Sequence, residues 1–388
     1  MLLLSVALMP AALVPSAVAA SVTELPPFLT GDVGLAYGYD HLAGTIDERE
    51  PADQVDAAAA DEGVYSTTTE WEVAHRSLNT HRLDYHLAFG AGPGVAVKLD
   101  LPQYVSSAVT YTSLQNMVFD PATGTGTYFG TDEGTPGTYV SGKGFGGVWL
   151  GVAGQPFSEA YTKRNNKATW LAEMAFRTGD KSGYWAVSDD GTRGAGPGGS
   201  AWRFHTAFSK RVGAAEPYIS GTVTIEQPTT VVIASPDGLG GVILSGGEVT
   251  VNPANHGEIR AGTEVLAARN DVNGAQVALD IHLAANYSGY GDVVSGIYLP
   301  NVLDASLGTV VQQAESLEGG GGIALRWRPM EYMQIDLFGE MFFHMPQRLE
   351  SPYNVYTWTD TTRALVGVDL TVRVRPQEKK TAPTTPGA

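Results

Sequence analysis

The sequence of 388 residues holds no cysteine, which excludes disulfides, thiolate metal sites and a lipid carried on an N-terminal cysteine. Charge is scarce and lopsided. Only 17% of residues are Asp, Glu, Lys or Arg, and the formal net charge is -17, so a basic nucleic-acid-binding surface is excluded. Nor does any apolar run reach the roughly 20 residues of a transmembrane helix. The longest starts at Met1 and leads through Pro15-Ser16-Ala17-Val18-Ala19-Ala20 into polar Ser21-Val22-Thr23-Glu24. That is the form of a secretory signal peptide spanning 1–20 and cut before Ser21. No Lys or Arg precedes its apolar core, an absence that points to a start codon further upstream. Export places the mature chain in the periplasm or beyond.

What is abundant points to strands and turns. There are 47 glycines and 9% aromatic residues, a mixture that favours β-structure over helices. Strict alternation of apolar and polar residues recurs along the chain, the period of a strand with two unlike faces. In 276–287, Val277, Leu279, Ile281, Leu283, Ala285 and Tyr287 share one face, while Gln276, Asp280, His282 and Asn286 share the other. The same parity groups Val33, Leu35, Tyr37 and Tyr39, and sets Leu83, Tyr85, Leu87 and Phe89 against Arg82, Asp84 and His86. The stretch 65–90 reads as one long strand, with a turn at Leu78-Asn79-Thr80 as the competing view.

Alternation fits either a soluble sandwich or a membrane barrel. Connection lengths separate the two. Short turns at 91–94, 211–215, 270–274 and 329–331 alternate with long loops at 41–64, 113–140, 179–198, 227–254, 291–317 and 345–357, a segregation typical of outer-membrane barrels, with one linker, 154–166, longer than its class. The long loops carry nineteen Asp or Glu against four Lys or Arg, so the acidic end is expected to face outward, as plainly solvated loops or, alternatively, bridged to lipopolysaccharide by divalent cations. The expected fold is all-β: a closed antiparallel transmembrane β-barrel over 21–375. Twelve strands are expected, at 30–40, 65–90, 95–111, 142–153, 167–178, 199–210, 216–233, 256–269, 275–290, 319–328, 332–344 and 358–375. Fourteen is the alternative count, because 229–251 holds two further apolar runs. Residues 376–388 read as a disordered periplasmic tail.

The polar face of the wall supplies the candidate lumen lining: Arg82, Asp84, His86, Lys98, Asp100, Glu173, Arg177, Arg203, His205, Glu258, Arg260, Glu264, Asp280, His282, Arg326, Arg328, Asp336, Glu340, Arg363, Asp369 and Arg373, with Trp149 among them and Phe338 and Phe342 on the same side by parity. In a narrow barrel such charges must pair or stay hydrated. A bracing lattice of ion pairs and a charge-selective constriction are both compatible with the pattern. Asp84 with His86, and Asp280 with His282, place carboxylate and imidazole on one face of a strand. No serine or further acid is fixed beside either pair by spacing, so no catalytic set, metal site or cofactor site is expected. The glycine runs 238–241 and 319–322 lack a following helix or lysine and are not phosphate cradles.

From Gly144 onward the chain resembles a known outer-membrane family. The marks are Gly144-Phe145-Gly146-Gly147-Val148-Trp149-Leu150-Gly151, a strand closing on Arg177-Thr178-Gly179-Asp180, and Gly196-Pro197-Gly198-Gly199 leading to Ala207-Phe208-Ser209-Lys210. They are similar to the outer-membrane transporters named for meta-pathway phenol degradation, with Gly147 where the family has Asp and Arg177 where it has Pro. The stretch 95–105 is similar to the preceding family strand. The resemblance implies a barrel distantly similar to fatty-acid and hydrocarbon transporters, and it carries over no catalytic or ligand residue. The expected function is a channel in a Gram-negative outer membrane, not an enzyme, for passive uptake of small solutes, hydrophobic or aromatic ones included. A closed structural or adhesion barrel is the alternative, and an outer-membrane hydrolase a more distant one. The expected partners are outer-membrane lipid, lipopolysaccharide, the barrel-assembly machinery and a small-molecule solute.

Overall fold

A computed structural model of the chain describes residues 4–5, 23–49, 70–112, 117–120, 125–128, 137–158, 168–179, 198–236, 242–270, 275–297, 309–350 and 355–375. The expected signal-peptide cleavage before Ser21 and the expected tail at 376–388 lie outside them.

Twelve antiparallel strands form the wall. They are β1 (Gly31–Arg49), β2 (Glu70–Gly92), β3 (Val95–Thr112), β4 in two segments (Gly137–Phe145 and Trp149–Phe157), β5 (Ala168–Arg177) and β6 (Ala201–Lys210). The second half comprises β7 (Ala215–Glu226), β8 (His256–Asn270), β9 (Ala275–Ser288), β10 (Ser316–Met330), β11 (Met333–His344) and β12 (Val355–Val374). Each pairs with the next. β1 then pairs with β12 from Gly31↔Val374 to Arg49↔Val355, which closes the barrel and removes its edges. Both segments of β4 lie antiparallel to β3. Across their break, Gly146 N donates to Pro102 O at 2.8 Å and Thr178 N to Val148 O at 2.9 Å, so the backbone stays satisfied there.

The strand count is twelve because the two extra runs do not join the wall. Thr229–Pro236 and Val242–Val251 pair only with each other, as a separate hairpin. The wall strands run longer than the alternation indicates: β1 continues past Asp40 to Arg49 and β10 begins at Ser316, since cross-strand pairing persists where the apolar face has ended. In β2 no turn interrupts residues 78–80, which pair in register with β1 through Leu42↔Leu78 and Asp40↔Thr80.

The apolar side chains point outward. Val33, Leu35, Leu87, Phe89, Leu150, Met174, Phe204, Ile259, Ile281, Leu325 and Met341 are all exposed, and Leu283 is 74% exposed. On the other face Arg326 and Asp280 are each 1% exposed. An apolar belt around the whole circumference far exceeds the patches a water-soluble monomer exposes. The inversion of oil and charge is that of a barrel set in lipid. No helix among the described residues is long and apolar enough to cross a membrane; the strands do so instead. Turns at 93–94 and 331–332, together with Gly31 and Val374, mark one end of the barrel; the extended segments lie at the other.

Candidate functional site

The lumen is built by parity. Every second residue of a wall strand faces inward, and ionisable side chains from different strands meet there in clusters. In the first, Lys98 reaches Glu173 at 2.6 Å, and Arg203 reaches both Asp100 at 2.9 Å and Glu173 at 3.1 Å, joining β3, β5 and β6. Trp149, 4% exposed, packs against two guanidiniums, with Arg203 at 4.7 Å and Arg177 at 5.3 Å from its ring centre. Arg177 is itself anchored on Glu226 at 2.5 Å and donates to the carbonyl of Gly198 at 2.9 Å. His205 lies 2.9 Å from the Thr222 hydroxyl.

The second cluster centres on His282, whose Nδ1 is 2.8 Å from Asp280 and whose Nε2 is 3.1 Å from Glu340. Tyr218 donates to Asp280 at 3.2 Å. Arg260 stands 2.9 Å from Glu340 and 3.3 Å from Glu258, and Arg326 bridges Asp336, at 3.0 Å, and Glu264. Both ring nitrogens of His282 are engaged and the residue is 3% exposed, so neither is presented to a substrate. The third cluster joins the closing strands. Arg363 holds Asp40 through contacts of 2.5–3.1 Å, His86 lies 3.4 Å from Asp369, and Arg82 holds Asp84 at 2.9 Å on its own strand. His86 occupies the space a side chain at Gly34 would need: a Cβ there would stand 1.7 Å from its Nε2. Phe338 and Phe342 are buried at 8% and 3% exposure.

One element crosses the lumen at the end marked by the short turns. Residues 23–30 precede β1 and turn in under the wall, where Leu29 N donates to Gly90 O and Gly90 N to Thr30 O, each at 2.9 Å. Gly90 is required by this approach, since a Cβ there would stand 2.1 Å from Pro27 O. The strap is tied on several sides. The Thr23 hydroxyl meets that of Ser209 at 3.0 Å, and Gln155 donates to Thr23 O. Glu24 accepts from Arg328 at 2.5 Å and from Arg373 at 3.3 Å, and Arg373 also holds Asp32 at 2.8 Å. Burial raises the affinity of Glu24 for a proton, but Arg328 and Arg373 outweigh it and hold this carboxyl below the usual range. Leu25, 6% exposed, joins a buried apolar cluster with Leu171, Tyr218, Phe338 and Leu365. Ala96, Ala153, Ala207 and Ala324 complete it; as small inward residues they leave room for the leucine.

Asp32, Asp40, Glu226 and Glu318 complete ion pairs yet stand outside the set picked out by alternation. Glu226 and Glu318 lie at strand ends, where few apolar neighbours mark the face, whereas Asp40 lies inside β1 at the point where its alternation fades. Asp32 follows the same even parity as Asp40 and was there to be found. Glu24 carries no periodic signal, because the strap is not a strand. No group of His, Asp and Glu among the described residues has the geometry of a metal site.

No family model matches the chain, and no curated protein matches it in sequence. Solved structures resemble it in fold. An outer membrane channel from Pseudomonas putida F1 aligns over 92% of this chain and 99% of its own, at 10% identity and a TM-score of 0.44. A Pseudomonas aeruginosa FadL homologue aligns over 91% and 93%, at 10% identity and a TM-score of 0.41. The outer membrane protease OmpT from Escherichia coli aligns over 88% and 97%, at 7% identity and a TM-score of 0.33.

Proposed function

We propose that this chain is a passive outer-membrane channel for small solutes, held shut at its periplasmic mouth by the strap at 23–30. One observation carries the reading: the barrel encloses a polar interior whose inner mouth is crossed, among the described residues, by the short strap at 23–30. A short tether fastened by ion pairs and one leucine is removable at modest cost, whereas a packed domain is not. The apolar belt of Leu25, Leu171, Phe338 and Leu365 supports passage of solutes with a hydrophobic or aromatic body, and the flanking charges favour small ones. Lipopolysaccharide around the outer rim and insertion by the barrel-assembly machinery belong to the same reading.

Conductance of the mature protein in planar bilayers tests it. Discrete current steps are expected, larger or more frequent once Leu25→Ala loosens the strap. The ion-pair lattice across the lumen favours a second reading, a closed bracing barrel. Electrically silent bilayers for both proteins would establish that one and remove the first. Of the two histidines on which a hydrolase could be built, His86 and His282, the second is unavailable because it is fenced between Asp280 and Glu340.

A further inference from the structure

At the far end of the lumen from the strap, residues of β8 to β12 and of β1 surround a cavity of about 30 Å³, room for one or two waters. Asn286 borders it and is 6% exposed. Its Nδ2 donates to Glu318 at 3.1 Å, while its Oδ1 has no hydrogen-bond partner among the described residues. Nδ1 of His256, on the same cavity, is likewise buried without a partner among them. Buried polar atoms are rarely left so, and two on one cavity call for a guest that brings hydrogens to them.

Charge decides which guest. Arg363 also borders the cavity, but Asp40 engages it through two of its nitrogens. Glu318 is taken by His344 at 2.8 Å and by Asn286. An anion would therefore enter beside a carboxylate with the neighbouring guanidinium already engaged, and a cation would find that carboxylate occupied. A neutral hydroxyl suits both orphan atoms: it donates to the amide oxygen, and it donates or accepts at the imidazole nitrogen. Trp358 and Leu42 border the same space and give a carbon skeleton something to lie against.

We propose that this cavity is a binding subsite for the hydroxyl end of a small neutral solute, at the outer mouth of the path. The proposal rests on the channel reading, and it names the solute class that such a path would gather first.

The test is saturation-transfer NMR on the full mature chain in detergent, with glycerol as the probe. Saturable transfer is expected, with apparent affinity about tenfold lower in Asn286→Leu, the loss of one hydrogen bond. Sodium acetate and ammonium chloride should not displace glycerol. Heat-modifiable electrophoretic migration checks that the variant is folded; if it is not, His256→Phe gives the same reading from the other orphan atom. Absent saturation, or transfer unchanged by a folded variant, would mean that the cavity holds water alone and would overturn the subsite. Displacement by acetate would overturn the charge argument. Because binding is read without current, conduction without glycerol binding sinks only the subsite, and binding in silent bilayers sinks only the channel.

Discussion

Glu24 and Arg328, 304 positions apart in the chain, meet at 2.5 Å across the inner mouth of the barrel. The contact ties a segment that belongs to no strand to the end of β10, and Arg373 at the end of β12 adds a second hold on the same carboxylate. The strap is therefore latched on the side where the wall closes.

Neutralising the latch should free the strap. The Glu24 side chain is 33% exposed, so its ion pair is worth at most about 1 kcal/mol, and Glu24→Gln is expected to raise the open population by up to about fivefold. Single-channel recording gives the number. Unchanged open probability would show that the contact does not hold the mouth.

Acid should act on the same latch. A carboxyl held below its ordinary range in the latched state contributes fully above that range, and the contribution is lost progressively as pH falls from the ordinary range through the depressed value. Conductance is expected to stay flat from neutral pH down to the usual carboxylate range, to begin rising there, and to go on rising below it until the depressed value is passed. A rise already complete within the ordinary range would contradict the electrostatics at Glu24.

Arg203→Ala should destabilise the barrel by about 3 kcal/mol, because it leaves Asp100 and Glu173 facing the lumen with only Lys98 between them. Urea titration in lipid vesicles, followed by tryptophan emission, reports the loss. An unaltered midpoint would mean that water hydrates these carboxylates as well as the guanidinium does.

Gly34→Ala should be damaging for one reason, the collision with His86. His86→Ala in the same molecule is expected to restore most of the lost stability, a coupling of about 1–3 kcal/mol in a double-mutant cycle. Additive effects would show that Gly34 is needed for something other than making room.

Leu283→Arg separates lipid from water outside the wall. At 74% exposure the change would matter little in a soluble protein, but facing acyl chains it should cost about 2–4 kcal/mol near mid-depth. Refolding yield into vesicles measures the difference. A variant that inserts as well as the parent, or a parent that stays monodisperse without detergent, would refute the orientation of the wall.

The wall was legible in the sequence because lipid and lumen impose opposite demands on neighbouring residues. Leu279 and Leu283 must be oily while Asp280 and His282 need not be, and that contrast repeats for as long as both surroundings last. It fades where a strand leaves the bilayer, which is why β1 was expected to stop at Asp40 although its pairing with β12 runs on to Arg49. Partners across the lumen left no trace in spacing. Arg203 and Asp100 are 103 positions apart, and only the curvature of the closed wall brings them together. The strap was illegible for another reason: Thr23 to Thr30 gains its conformation from groups contributed by distant strands, not from its own pattern.

The seam between β1 and β12 joins the opening of the wall to its final span, through Gly31↔Val374. A ribosome must therefore deliver nearly everything before the cylinder can shut, and until then β1 and β11 both offer raw hydrogen-bonding margins to any passing chain. Chaperoning in transit is thus a demand written into the closure itself, and shortening the gene from its 3′ side should yield aggregates rather than smaller pores.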